Sequence, residues 1–146
     1  MLKEKYILED GTKLNIGYID KVLFESYEPI LFVTKNNKDE LFLCCHAIHN
    51  LERNEFLVVE TTPEIIIKLL IDKITIQKAF LSSPGIKYTI ININKEDEEV
   101  LTNSSAWDHL SEDNLLPADE YMEAEDGEFN ELLHYYISLR MNKNNY

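Results

Sequence analysis

The densest grouping of chemistry-bearing side chains in this 146-residue chain is Cys44-Cys45-His46, followed three positions later by His49. Thiolate and imidazole together are zinc ligands, and a thiolate beside an imidazole is also the pair that nucleophilic catalysis uses. The spacing argues against the metal. A structural zinc site takes two ligand pairs, each separated by a few residues, and no second pair follows. The cysteines also sit in a run with strand character, where successive side chains point to opposite faces. They therefore read as two unpaired thiols that pack as small hydrophobes, in a reducing compartment. A catalytic role for Cys44 or Cys45 would need a histidine brought from elsewhere, such as His109 or His134, and no local nucleophile signature accompanies either cysteine.

Carboxylates are the second grouping. The chain carries a formal charge of −13, unevenly distributed. Residues 1–94 hold 11 basic against 13 acidic side chains, whereas residues 95–146 hold 3 against 14, a balance of −11. Between Glu96 and Glu131 all 14 of those acids occur without one Lys or Arg. Such a segment repels phosphate and anionic lipid, which excludes direct nucleic-acid or acidic-membrane binding through it, and favours a basic protein partner. Glu96, Asp97, Glu98, Glu99, Asp119, Glu120, Glu123, Glu125 and Asp126 are the candidate charge contacts, and Trp107, Tyr121 and Met122 the apolar anchors among them. The same apolar residues would equally serve to tether the segment to its own core. A calcium loop with Gly127 at its sixth position would put Met122 at the first, where an acid is required, so that register fails. No pair of acids stands out as a hydrolytic dyad. The chain also lacks a phosphate loop, a dinucleotide fingerprint and a nucleophile elbow, and no cofactor is expected.

These groups must be carried by a scaffold, and 45% apolar residues suffice for one core. Residues 14–25 suit one or two short strands. Pro29 opens a strand at 30–34, the polar run 36–39 turns the chain, and a second strand covers 41–48. A third, at 55–60, completes an antiparallel meander. Thr62, Pro63 and Glu64 form a helix start signal for a helix reaching about residue 72. Thr75 caps a second short helix over 76–81, which Ser83-Pro84-Gly85 stops. A β-rich run follows at 86–93, with few protective charges, so that an edge there would pair with a second copy into a homodimer. Residues 95–127 read as an acidic, partly irregular segment laid across the domain. Phe129, Leu132, Leu133, Tyr136 and Ile137 then recur at helical spacing, predicting an amphipathic helix over 128–141.

The strands ELFLCC (40–45) and EFLVVE (55–60), the Pro29 strand before them and the block IIIKLLIDKITIQKAFLS (65–82) resemble a group of small uncharacterised bacterial proteins. The resemblance implies a proline-led strand, a hairpin and a paired-helix segment, and it transfers no catalytic residue. High Ile, Asn and Lys usage points to an AT-rich bacterial genome. The chain shows no signal-peptide pattern and no apolar run of membrane-spanning length, so a cytoplasmic location is expected. The expectation is one domain spanning 1–146 with an α+β fold: an antiparallel sheet of about five strands, two short helices, and a C-terminal helix packed on one face. The expected role is that of a non-catalytic interaction module of inhibitory, immunity or regulatory type. A small enzyme using Cys44 or Cys45 with a histidine is the alternative.

Overall fold

The computed structural model describes residues 4–7, 13–26, 28–49, 53–83, 87–93, 97–102, 120–123 and 125–144. Its centre is a six-stranded antiparallel sheet in which each strand pairs with its neighbour in sequence: β3 (Tyr18–Ser26), β4 (Glu28–Lys35), β5 (Leu41–His49), β6 (Arg53–Thr61), β7 (Lys87–Ile93) and β8 (Asp97–Thr102). A separate two-stranded sheet joins β1 (Lys5–Ile7) to β2 (Lys13–Asn15). Among the described residues three helices complete the fold: α1 (Pro63–Leu70), α2 (Ile76–Leu81) and α3 (Asn130–Asn144). The α+β architecture is as read from the sequence, with a wider main sheet than the expected five strands.

The sheet is apolar on both faces. On one, Leu31, Val33, Leu41, Leu43, Cys45, Leu57 and Val59 form a core with Ile66, Leu69 and Leu70 of α1, Ala79 and Phe80 of α2, and Tyr136 of α3. On the other, Phe32, Phe42, Cys44, Phe56 and Val58 pack with Tyr6, Leu14 and Ile16 of the small hairpin. This explains the near-continuous apolar runs of β4 to β6. A strand covered on both sides has no polar face, so it does not alternate.

The two helix starts follow their signals. Thr62 Oγ1 accepts from the Ile65 N–H at 3.3 Å, with Pro63 in the first turn, and Thr75 Oγ1 accepts from Lys78 N–H at 3.2 Å. The first helix ends at Leu70 rather than near residue 72, because Asp72 turns to a positive φ of 58°. The hairpin layer is attached through Gly17 and Asn36. Gly17 has φ +73°, and a Cβ there would run into the Lys35 carbonyl. Asn36 is buried; its amide donates to Asn15 O at 2.8 Å and Glu40 Oε1 at 3.0 Å, while its Oδ1 accepts from Lys38 N and Glu40 N. One side chain thus shapes the β4–β5 turn and ties β2 to it.

Three readings are corrected. Residues 97–102 are strand β8, not irregular chain: Val100 and Leu101 pair with Ile90 and Thr89 and extend the sheet. Consequently β7 is flanked by β6 and β8, and the homodimer route through an open edge at 86–93 is closed. In α3, Ile137 is exposed rather than part of the docked stripe, and Tyr135 and Leu139 pack with Phe129, Leu132, Leu133 and Tyr136 instead. Two adjacent tyrosines, Tyr135 and Tyr136, share the contact, so the buried stripe is broader than the one that the apolar spacing marks out.

Candidate functional site

Cys44 and Cys45 are both free and buried, and their side chains enter opposite cores, Cys44 with the hairpin layer and Cys45 with the helices. Burial pushes the Cys45 thiol up to about 12 and raises Cys44 further still. Both are therefore neutral thiols at physiological pH, whereas attack and metal ligation need the thiolate. His46, also buried, lies with its ring stacked on Phe56 at a centroid distance of 4.2 Å, which makes it part of the aromatic packing with Phe32. His134 is exposed on α3. His109 lies outside the described residues, and for His49 only the strand backbone is described. Among the described residues no three His, Cys, Asp or Glu side chains are grouped to hold a metal ion, and no helix is long and apolar enough to cross a membrane.

The acidic region resolves into two described parts. In β8, Asp97, Glu98 and Glu99 pair with Ile93, Asn92 and Ile91 through the strand backbone. The second part runs from Glu120 into α3. Glu120 offers its carbonyl to the first N–H of α2, Ile76, at 2.8 Å, and the Glu123 N–H donates to Asp72 Oδ1 at 3.1 Å. Residues 120–123 are thereby bound to the α1–α2 turn. Met122 faces the core as a tether, while Tyr121 stays 42% exposed. Of the three apolar candidates, Met122 thus tethers the segment to its own core and Tyr121 does not, while Trp107 lies outside the described residues. Glu125 N–H donates to Glu128 Oε2 at 2.8 Å, and Gly127, at φ +78°, turns the chain into α3. Glu120, Glu123, Glu125, Asp126, Glu128 and Glu131 are all exposed, and among the described residues none is in an ion pair. The candidates Glu96, Trp107 and Asp119 lie outside the described residues.

A polar cluster that the sequence did not reveal joins α3 to the sheet. The Tyr135 hydroxyl donates to Asp20 Oδ2 at 2.6 Å and accepts from Lys35 Nζ at 3.0 Å; Lys35 also approaches Asp20 Oδ1 at 3.8 Å. Lys21 Nζ stands 4.7 Å from the centre of the Tyr135 ring, within cation–π range. Burial and the bond to Asp20 raise the Tyr135 pKa, and the Tyr135 bond raises that of Lys35. A neutral phenol gripped from both sides is a fastener rather than a proton carrier. Its partners are 100 and 115 residues away in sequence, and no local pattern announces such a contact. The acids and the fastener have the same mechanical outcome: the segment 120–131 is fixed at both ends while its carboxylates remain in solvent. No family model matches the chain, and neither a curated protein nor a solved structure matches it.

Proposed function

We propose that this protein is a non-catalytic binding module that engages a basic protein through its acidic C-terminal third, in the manner of an inhibitor or regulator. The observation that carries the reading is the exposed set Glu120, Glu123, Glu125 and Asp126 around Tyr121, on backbone secured to the α1–α2 turn and to α3. Fixed carboxylates attract a complementary patch without the ordering cost that a floppy tail would incur on binding. An exposed tyrosine among them supplies the aromatic anchor that such interfaces concentrate their energy in. Electrostatic attraction of this kind speeds encounter and weakens as salt screens it.

The test compares wild-type protein with the fourfold variant E120Q/E123Q/E125Q/D126N in affinity capture from the native host, with elution by rising salt. A basic protein held by the wild type and eluted by moderate salt, and recovered at least tenfold less with the variant, is the expected outcome. Equal capture and equal salt dependence would sink the reading. Tyr121→Ala separates anchor from charge: it should weaken the same complex while leaving the salt dependence unchanged.

A further inference from the structure

We propose that the outer face of α3 is a self-association surface, on which a second copy of the chain docks antiparallel with the two-fold axis at Ile137. The helix carries apolar side chains on two sides. Tyr136 is fully buried, and Leu132, Leu133, Tyr135 and Leu139 pack against the core. Ile137 and Met141 are nevertheless 36% and 58% exposed, and His134 is exposed beside them. One apolar side suffices to dock a helix on its own domain, and the second is available for a further contact. Its spacing fits another helix. Asn130, His134, Ile137, Met141 and Asn144 follow at intervals of four, three, four and three residues, the repeat by which two helices mesh along a seam. The seam is also symmetric, because Ile137 is equidistant from the asparagines at the two ends of α3. A two-fold pair needs a surface that matches itself. Antiparallel pairing sets Ile137 against its counterpart, His134 against Met141, and Asn130 against Asn144.

Charge selects the occupant and its direction. From Glu96 to Tyr146 the only bases are Arg140 and Lys143, in the last turns of α3, whereas Glu131 lies in its first turn and Glu128 just before it. A basic partner would suit the first end and be repelled at the second. A parallel copy would set like charges side by side. An antiparallel copy brings acid to base at both ends, with the helix dipoles opposed as well. It also keeps the acidic ends apart: at 1.5 Å per residue the two Glu131 positions are about 18 Å from each other along the axis, well beyond the roughly 8 Å over which exposed charges act at physiological salt. None of these residues belongs to 120–126, so the surface stands apart from the proposed acidic contact.

A pair of single helices buries less than the roughly 1,200 Å² of a standard interface, so the association is weak and depends on concentration. Sedimentation velocity of the full chain, from about 10 µM to about 1 mM, should show monomer passing to dimer. I137E/M141E should raise the dissociation constant at least tenfold while the circular dichroism spectrum stays that of the wild type, because both side chains are exposed. R140E should raise it at least threefold more than K38E, which makes the same charge change on the β4–β5 turn. On mild oxidation I137C should form an intermolecular disulfide, since that residue meets its own counterpart, and E131C should not; the native Cys44 and Cys45 are buried and do not compete. Monomer at every concentration overturns the proposal, as does a dimer indifferent to I137E/M141E. Preferential cross-linking of E131C would mean parallel helices and overturns it too. Should circular dichroism show that the double variant has not folded, the comparison of I137C with E131C decides alone.

Discussion

Gly17 is the position at which one atom decides most. Its positive φ and the Lys35 carbonyl against its α-carbon leave no room for a side chain, so Gly17→Ala must either move β2 off the sheet or strain the backbone. We expect a loss of about 3 kcal/mol or more, measured by urea unfolding, which is large for a single methyl group. Tyr135→Phe removes two hydrogen bonds but keeps the ring under Lys21, and should cost about 1–2 kcal/mol without loss of the fold. Its pH signature is specific. Tyr135 and Lys35 both titrate higher in the folded chain than their ordinary values. The stability they contribute is therefore fully present below pH 10 and lost as pH climbs through their folded pKa values. Tyr135→Phe should give a shallower alkaline decline in melting temperature than wild type, with the two curves parallel between pH 6 and 9.

Among elements, those whose cause is local were legible in the sequence. The second helix was bounded at 76–81 from Thr75 and the stop at Ser83-Pro84, and the structure gives Ile76–Leu81. The cap is the reason, and Thr75→Ala should cost about 1 kcal/mol. Calorimetry of that variant is the check, and a change below a few tenths would mean that the Glu120 carbonyl on Ile76 N–H already holds the helix start. The strands of the meander were legible for the same reason: apolar β-formers separated by polar turns. Strand β1 was not, because three residues show no periodicity, and they become a strand only by pairing with Lys13–Asn15. Strand β8 was hidden by its own charge; three consecutive acids look like solvated loop, and only the partner β7 makes them a strand. The docked face of α3 was half right. Spacing identified Phe129, Leu132, Leu133 and Tyr136, but Tyr135 is recruited by Asp20 and Lys35, polar partners that hydrophobic periodicity does not see.

At the scale of the molecule, a neutral scaffold carries a negative surface. The proportion of acids was readable from composition; their fixed presentation, through Glu120 and Glu123 on the α1–α2 turn, was not, since it rests on a backbone bond spanning 44 residues and a backbone-to-side-chain bond spanning 51. The main sheet is clothed by two unequal layers, helices on one side and a hairpin of two three-residue strands on the other. Unequal layers need not open together, because local stability follows the apolar area each one covers. The neighbouring cysteines turn this into something countable. Cys44 lies beneath the hairpin and Cys45 beneath the helices, each as an un-ionised thiol sealed from solvent. Alkylation of the native protein, resolved residue by residue by mass spectrometry, then clocks the two coverings separately within one chain. Faster modification of Cys44 marks lifting of the hairpin with the helical side shut, and Gly17→Ala should accelerate that site alone; equal rates at both would show that the molecule opens only as a whole.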